Sequence, residues 1–494
     1  MHKMKTFLNR IGAIAAVCGM ISSCGGQIAD SVYGSEGPAV IFPDYKGVTI
    51  PENIAPMNFH YAMKDARKAT TQFSAQGKTV VMHGLQVRWS IRKWRRFIRN
   101  AEGGTVSVVA KVRTKDEEIS DRWEMYICRD RIDPFLTYRL IEPAYQMFNE
   151  VSIVERNIEN FEERVICDFK HTDNSCMNCH THGQQRGDLS MFYIRGKQGG
   201  AILNRDGELR KVTLNADGML SGTVYGDIHP SGRYGVFSTN IIIPSFHTMA
   251  GKRMEVYDTA SDLTVADFDT NTMINLDNVA RKDRFETFPC FSADGDEVFY
   301  CVADTVALPQ DITDMKYSLM RAGFDTTNGH ISEQEDTLWS AGAHNGSVCH
   351  PKASPDGKWL MFTVADYGTF PINHSESTLN MINLETGEVR TLDGVKGDKS
   401  DTYHSWSSDG RWFGFVSKRG DGQYGKPYFC HLDEDGNPSK PFVLPQKSAF
   451  FYEYNLKSFN MPDIGKTKTE ITLKDINRLY KAESEAFSNW KPII

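Results

Sequence analysis

Four stretches of the chain share one frame: His229-Pro230-Ser231-Gly232-Arg233-Tyr234, Ser292-Ala293-Asp294-Gly295-Asp296, Ser354-Pro355-Asp356-Gly357-Lys358-Trp359 and Ser407-Ser408-Asp409-Gly410-Arg411-Trp412. Their glycines stand 63, 62 and 53 residues apart, and five positions after each comes an aromatic: Phe237, Tyr300, Phe362 and Phe415. Asp-Gly supplies the positive φ that a hairpin turn requires. The apolar run that follows, such as Trp359-Leu360-Met361-Phe362, reads as a strand covered on both faces. Further strands fit within each period, as in Leu379-Asn380-Met381-Ile382-Asn383-Leu384 ahead of Thr386-Gly387. Four short antiparallel strands per unit of about fifty residues is the signature of propeller blades, which bury their faces only against neighbours.

Toward the N-terminus, residues 191–194, 200–204 and 210–214 read as three more strands, with turns at Gly196-Lys197-Gln198-Gly199 and Asp206-Gly207. That unit makes five blades, and the stretch 451–459 offers material for a sixth. The expected fold is all-β, with a propeller of five to six blades over residues 186–460. Cys176-Met177-Asn178-Cys179-His180 then stands where the other blades carry their innermost strand and entry loop. Such a position puts it on one face of the propeller, near the mouth.

Cys-x-x-Cys-His is the attachment pattern of c-type haem. The two thiols must reach the two vinyl groups of one porphyrin, and the adjacent His must lie under the iron as an axial ligand. With 10 Cys and 14 His in 494 residues, chance supplies roughly 0.006 such matches. Cys176, Cys179 and His180 are therefore the candidate residues for one covalent haem c, with His180 on the iron. Zinc is the rival: His171, Cys176, Cys179 and either His180 or His182 make a tetrahedral set of N and S donors. Structural zinc usually comes with two paired knuckles, and only one Cys pair is present. A bare redox pair lacks the βαβ surroundings it normally has. For the sixth iron position the sequence offers His171, His182, Met191, Met57, His60 or none. Met177 lies inside the motif and His182 only two residues beyond His180, so both are geometrically poor. A His partner favours lower potentials, a Met raises them, and an open position admits small molecules.

Lys3, Lys5 and Arg10 precede an apolar run at 11–21 that ends in Ser22-Ser23-Cys24, the arrangement of a secretory signal. The Ile-Ser-Ser-Cys ending resembles the lipobox of bacterial lipoproteins. That resemblance implies a signal peptide at 1–24, with Cys24 as the lipidated first residue of the mature chain. Residues 25–40, small and polar at first, read as a tether. The alternative is a simple secreted protein in which Cys24 is incidental. Either reading sends the chain out of the cytoplasm, where c-type haem is attached. The lipid anchor implies the periplasmic side of a membrane, the outer one being expected. No apolar run of 18 or more residues exists, so no helix of the mature chain is expected to cross the bilayer.

The Ser-Pro-Asp-Gly-Lys and Ser-Ser-Asp-Gly-Arg units resemble the blades of TolB-like propellers over roughly residues 186–450. The order of lipoprotein signal, N-terminal domain, one haem motif and blades is similar to a family of Bacteroidetes-type envelope proteins. This likeness implies the domain plan and no particular activity, because propellers host many functions.

Residues 41–150 contain alternating runs, such as Thr105-Val106-Ser107-Val108-Val109-Ala110-Lys111-Val112, which predict a small N-terminal β-sandwich. Within it, Ile91, Trp94 and Ile98 recur at helical spacing among Arg88, Arg92, Lys93, Arg95, Arg96 and Arg99. A helix docked on the sandwich with a solvated basic face is preferred there to a membrane-surface helix. Residues 151–185 read as a linker carrying the haem motif, and 461–494 as a tail with a helix opened by Thr472. Cys128, Cys167, Cys290, Cys301, Cys349 and Cys430 read mostly as buried thiols. A tight turn at Ala293-Asp294-Gly295 sets Cys290 opposite residue 299 rather than Cys301.

A net charge of −7 argues against a nucleic-acid binder. No Gly-x-Ser-x-Gly elbow suggests hydrolysis. His229, His350 and His404 fall near blade starts, where channel-lining and turn-bonding roles compete. The first expectation is an envelope c-type cytochrome that exchanges electrons with a docked redox partner as a carrier rather than a catalyst; an enzyme with the haem or the propeller channel as its site is a further reading, left open. The alternative is an envelope scaffold or binding protein with a structural or sensory haem, or with zinc.

Overall fold

The framed turns form as their residues dictate. Gly232, Gly295, Gly357 and Gly410 have φ of 73°, 86°, 70° and 68°, each at the hairpin that leads into a second blade strand. Ser354 Oγ accepts the Trp359 N–H at 2.9 Å and donates to Asp356 Oδ1 at 2.5 Å. Ser292, Asp294 and Glu297 repeat that pattern one blade earlier. Phe237, Tyr300, Phe362 and Phe415 are buried between blades. Cys290 pairs with Phe299 across the strand, as the turn requires.

The computed structural model describes residues 39–142, 150–245 and 255–488. The expected signal peptide, Cys24 and nearly all of the tether lie outside them. Among the described residues, strands build six blades of four antiparallel strands, the second extended by a fifth, parallel strand at its outer edge, and an N-terminal pair of sheets. The second blade is Met177–His182, Leu189–Ile194, Gly200–Arg205 and Glu208–Thr213. The third opens with Thr223–Ile228, the fourth with Arg284–Phe291, the fifth with Ser347–Ala353 and the sixth with Asp401–Trp406. The first blade draws on both ends of the chain. Phe135–Ile141, Ser152–Asn157 and Glu163–Asp168 run outward, while Ser458–Gly465 supplies the innermost strand. Each innermost strand contacts the next, and Ser458–Gly465 touches both the sixth and the second blade's inner strands, so the ring is closed.

Three boundaries expected from the sequence are corrected. Residues 151–185 are not a linker, because 152–168 form two strands of the first blade and 177–182 the inner strand of the second. The sandwich gives way to the propeller soon after Cys128, not at 150. The tail assigned from 461 onward begins inside the closing strand, while Phe451–Tyr454 is a helical turn and completes no blade. The first blade was hidden because it has no Asp-Gly frame and its strands lie about three hundred residues apart in sequence.

In the N-terminal domain a five-stranded sheet has the order Thr49–Pro51, Glu118–Cys128, Thr105–Arg113, Lys68–Ala75, Lys78–His83. A three-stranded sheet and the helix Ile91–Ile98 complete it. That helix buries Trp94, Phe97 and Ile98 and exposes Arg92, Lys93, Arg95 and Arg96, a docked helix with a wet basic face. The domain shares one apolar core with blades one and six, through Tyr138, Ile464, Trp412 and Phe442. At the other end, Leu473–Lys481 is opened by a capping box between Thr472 and Asp475. Its Ile476, Leu479 and Tyr480 seal the first two blades together with Met177 and Phe192. No helix of the described residues is long and apolar enough to cross a membrane.

Candidate functional site

All six innermost strands carry a bulge at the same place. Pairing slips between 178 and 181, 223 and 226, 287 and 290, 349 and 352, 402 and 405, and 460 and 463. A bulge sets two residues against one and re-aims their side chains. Phe288, His350, Tyr403 and Met461 take the first bulge position with φ of 51°, 54°, 52° and 49°. Such backbone costs roughly 1–3 kcal/mol per non-glycine residue and gathers at functional sites. Pro289, Pro351 and Pro462 follow, where a missing N–H breaks no ladder bond.

The bulges aim a ring of side chains at the axis around a small cavity of about 70 Å³. Its walls include His180, Tyr225, Phe288, His350, Tyr403 and His404. The rings pack at tilted or edge-on angles: Phe288 lies 4.1 Å from His350 and 4.4 Å from Tyr225, and His350 lies 5.0 Å from Tyr403. Lys352 and Asp463 add the charges. Burial pushes the Lys352 ammonium down, but Asp227, 3.5 Å away, and Asp463 outweigh it and the net shift is upward. Burial likewise pushes Asp463 up, and His182, His180 and Lys352 bring it below the usual carboxylate range.

His180 and His404 are equivalent positions of blades two and six, and they bond alike. His180 Nε2 lies 3.3 Å from the Thr137 carbonyl of the preceding blade, and His404 Nε2 lies 2.9 Å from that of Met361. With Nε2–H donating, each ring leaves its lone pair on Nδ1. Both Nδ1 atoms are buried without a partner. Burial pushes His180 down to about 4 and His350 and His404 to about 3, so all three rings are neutral at neutral pH.

The sequence motif therefore reaches the axis through His180. Cys176 lies just before the inner strand, half-buried, its thiol pushed up by burial. The Cys179 side chain is outside the described ones. None of the expected sixth ligands lines the cavity. His171 is tied to Asp168 at 2.5 Å, and His182 to Asp463 at 2.8 Å and Thr469 at 3.3 Å. Met191 is buried between blades two and three, and Met57 and His60 belong to the N-terminal domain. Among the described side chains, no three of the proposed zinc set bring ligand atoms within 4.8 Å of one another. His350 and His404 do line the cavity, whereas His229 is a turn residue bonded to Ser231 and the Gly295 carbonyl.

Sequence reading missed Lys352, Met461 and Asp463. A signal was present: Pro289, Pro351 and His404 each stand five residues before the Asp of their turn frame. Of the proposed haem set only His180 lines the cavity, and Cys176 is not among its walls. A metal-bound His normally gives its other ring N–H to a main-chain carbonyl, which fixes the tautomer, and His180 does so with Thr137.

No family model matches the chain, and no curated protein matches it. Among solved structures, oligogalacturonate lyase in complex with manganese aligns at TM-score 0.33 and 13% identity, covering 63% of this chain and 73% of that one. The periplasmic gluconolactonase of Pseudomonas aeruginosa aligns at 0.35 and 14%, covering 63% and 96%. A hypothetical selenium-binding protein of Sulfolobus tokodaii aligns at 0.39 and 6%, covering 73% and 97%. The chain is an all-β protein, an N-terminal β-sandwich followed by a six-bladed propeller, as its strand pairing records.

Proposed function

We propose that this protein is an envelope c-type cytochrome, anchored through Cys24, which carries one haem on Cys176 and Cys179 with His180 as axial ligand. It passes electrons to or from a docked protein partner. One observation supports this reading: the Cys-x-x-Cys-His segment runs into an innermost strand, where the neutral ring of His180, with one nitrogen unpartnered, is part of the wall of an aromatic-lined cavity. A haem held there supplies a reversible one-electron couple. The chain's own part is to hold His180 in one tautomer through Thr137, to keep His350 and His404 uncharged, and to limit water with Tyr225, Phe288 and Tyr403. The measurement is a reduced pyridine haemochrome spectrum of the exported full chain made with cytochrome c maturation. One haem per chain is expected, with Cys176→Ser or Cys179→Ser each leaving a single thioether signature. A colourless exported chain ends the reading.

The equivalence of His180 and His404 favours a second reading, a haem-free envelope scaffold in which both rings fasten neighbouring blades. Under it, His180→Gln and His404→Gln lose similar stability and the exported protein carries no haem.

A further inference from the structure

A second donor cluster lies off the axis, where the N-terminal domain meets the sixth blade. Cys128 ends the strand Glu118–Cys128, Asp130 follows two residues later, and His431 ends Lys426–His431. His431 Nε2 is 3.3 Å from Cys128 Sγ and 2.7 Å from Asp130 Oδ2, and all three donor atoms lie within 4.8 Å of one another. A Cys-His-Asp relay for nucleophilic catalysis would engage the two ring nitrogens separately. Here thiol and carboxylate address the same nitrogen, so the geometry is that of three ligands around one point.

The surroundings hold the three in place. The Trp412 indole N–H donates to the Asp130 carbonyl at 3.0 Å, and the His431 N–H donates to Ser439 Oγ at 3.1 Å. The Asp130 N–H donates to Cys128 Sγ at 3.3 Å, so the sulfur is already an acceptor. Arg411 Nε stands 3.5 Å from Asp130 Oδ2. All three donors are half-buried, close enough to solvent for an ion to enter and shielded enough to hold it.

We propose that Cys128, Asp130 and His431 bind one Zn²⁺ and thereby clip the N-terminal domain to the sixth blade. Thiolate, imidazole and carboxylate are ordinary zinc donors, and three protein ligands leave the fourth tetrahedral position to water. Bond lengths of about 2.0–2.3 Å place tetrahedral donors roughly 3.3–3.7 Å apart. The sulfur–nitrogen spacing already meets this, and the Asp130 carboxylate has only to draw back a fraction of an ångström. Thiolate and carboxylate together neutralise the dication, and coordination releases the thiol proton to solvent. Arg411 then acts as an outer hydrogen-bond donor that orients the carboxylate. This site is independent of the haem.

The test is a Co²⁺ titration of the metal-free full chain carrying Cys176→Ser and Cys179→Ser, which removes the other thiol pair. One equivalent is expected to bind with a thiolate-to-cobalt charge-transfer band, to be displaced by Zn²⁺, and to raise the thermal midpoint. Adding Cys128→Ser should abolish the band, and adding His431→Gln should weaken Co²⁺ at least about tenfold. In parallel, Cys128→Ser in the otherwise unsubstituted chain should remove one equivalent of bound Zn²⁺. A band that survives Cys128→Ser overturns the site. So does a folded chain, with an unchanged circular dichroism spectrum, that binds no equivalent.

Discussion

At the scale of single residues, the three axial histidines and one buried aspartate give pH dependences of opposite sign. His180, His350 and His404 have folded values of about 4, 3 and 3 against 6.5 in the unfolded chain. The unfolded state therefore binds more protons, and stability present above pH 6.5 is lost as the pH falls toward 4 and below. His404→Gln keeps a donor for the Met361 carbonyl and removes one titration, so thermal melts from pH 7 to 4 should fall less steeply in the variant. Asp258, bonded to Asn240 at 3.0 Å and Tyr317 at 3.4 Å, is raised to about 7 chiefly by burial. Its contribution is present below about pH 4 and lost as the pH rises through 7. Asp258→Asn should therefore gain on the order of 2–4 kcal/mol over wild type between pH 4 and 8, read by denaturant unfolding at both ends. Neither histidine pKa nor Asp258 burial was legible in the sequence, since both follow from which blade packs over which residue. The Cys290–Phe299 pairing was legible, because one local turn fixes it.

At the scale of turns and strands, the Asp-Gly frame was read correctly and its tightness was not. A Cβ on Gly295 would stand 2.1 Å from His229 Nε2 at a φ of +86°, so Gly295→Ala must expel a ring already bonded to that glycine's carbonyl. Gly207 has φ +84° with nothing within 4 Å. By thermal unfolding, Gly207→Ala should cost about 1 kcal/mol from backbone strain alone, and Gly295→Ala at least about 2–3 kcal/mol. Equal losses would show that the His229 contact carries no weight. The bulges that make the axial cavity were not legible for a related reason. A bulge is defined by the partner strand, and only the recurring Pro at its second position leaves a trace in the chain.

At the scale of the whole molecule, the ring is closed by Ser458–Gly465 pairing with Phe135–Ile141 in the first blade. A chain ending at 457 should yield no folded monomer, because the first blade then exposes an inner edge and its half of the core. A chain ending at 482 loses the short parallel strand Glu485–Ala486 and the buried Phe487, and should still fold, with a midpoint lower by several degrees. Circular dichroism melts of both truncations decide this. The number of framed blades was legible from one repeat. The first blade was not, because nothing local relates its two pieces.

That closing strand also sets an order of events. Roughly 290 residues separate the last strand of the first blade, ending at Asp168, from the strand that joins it at Ser458. In an exported chain the closing strand is also the last inner strand to emerge, so an open ring precedes the closed one. For that interval the inner strands are a groove with a missing stave rather than a tunnel. Anything destined for the interior has its easiest entry before the final stave arrives.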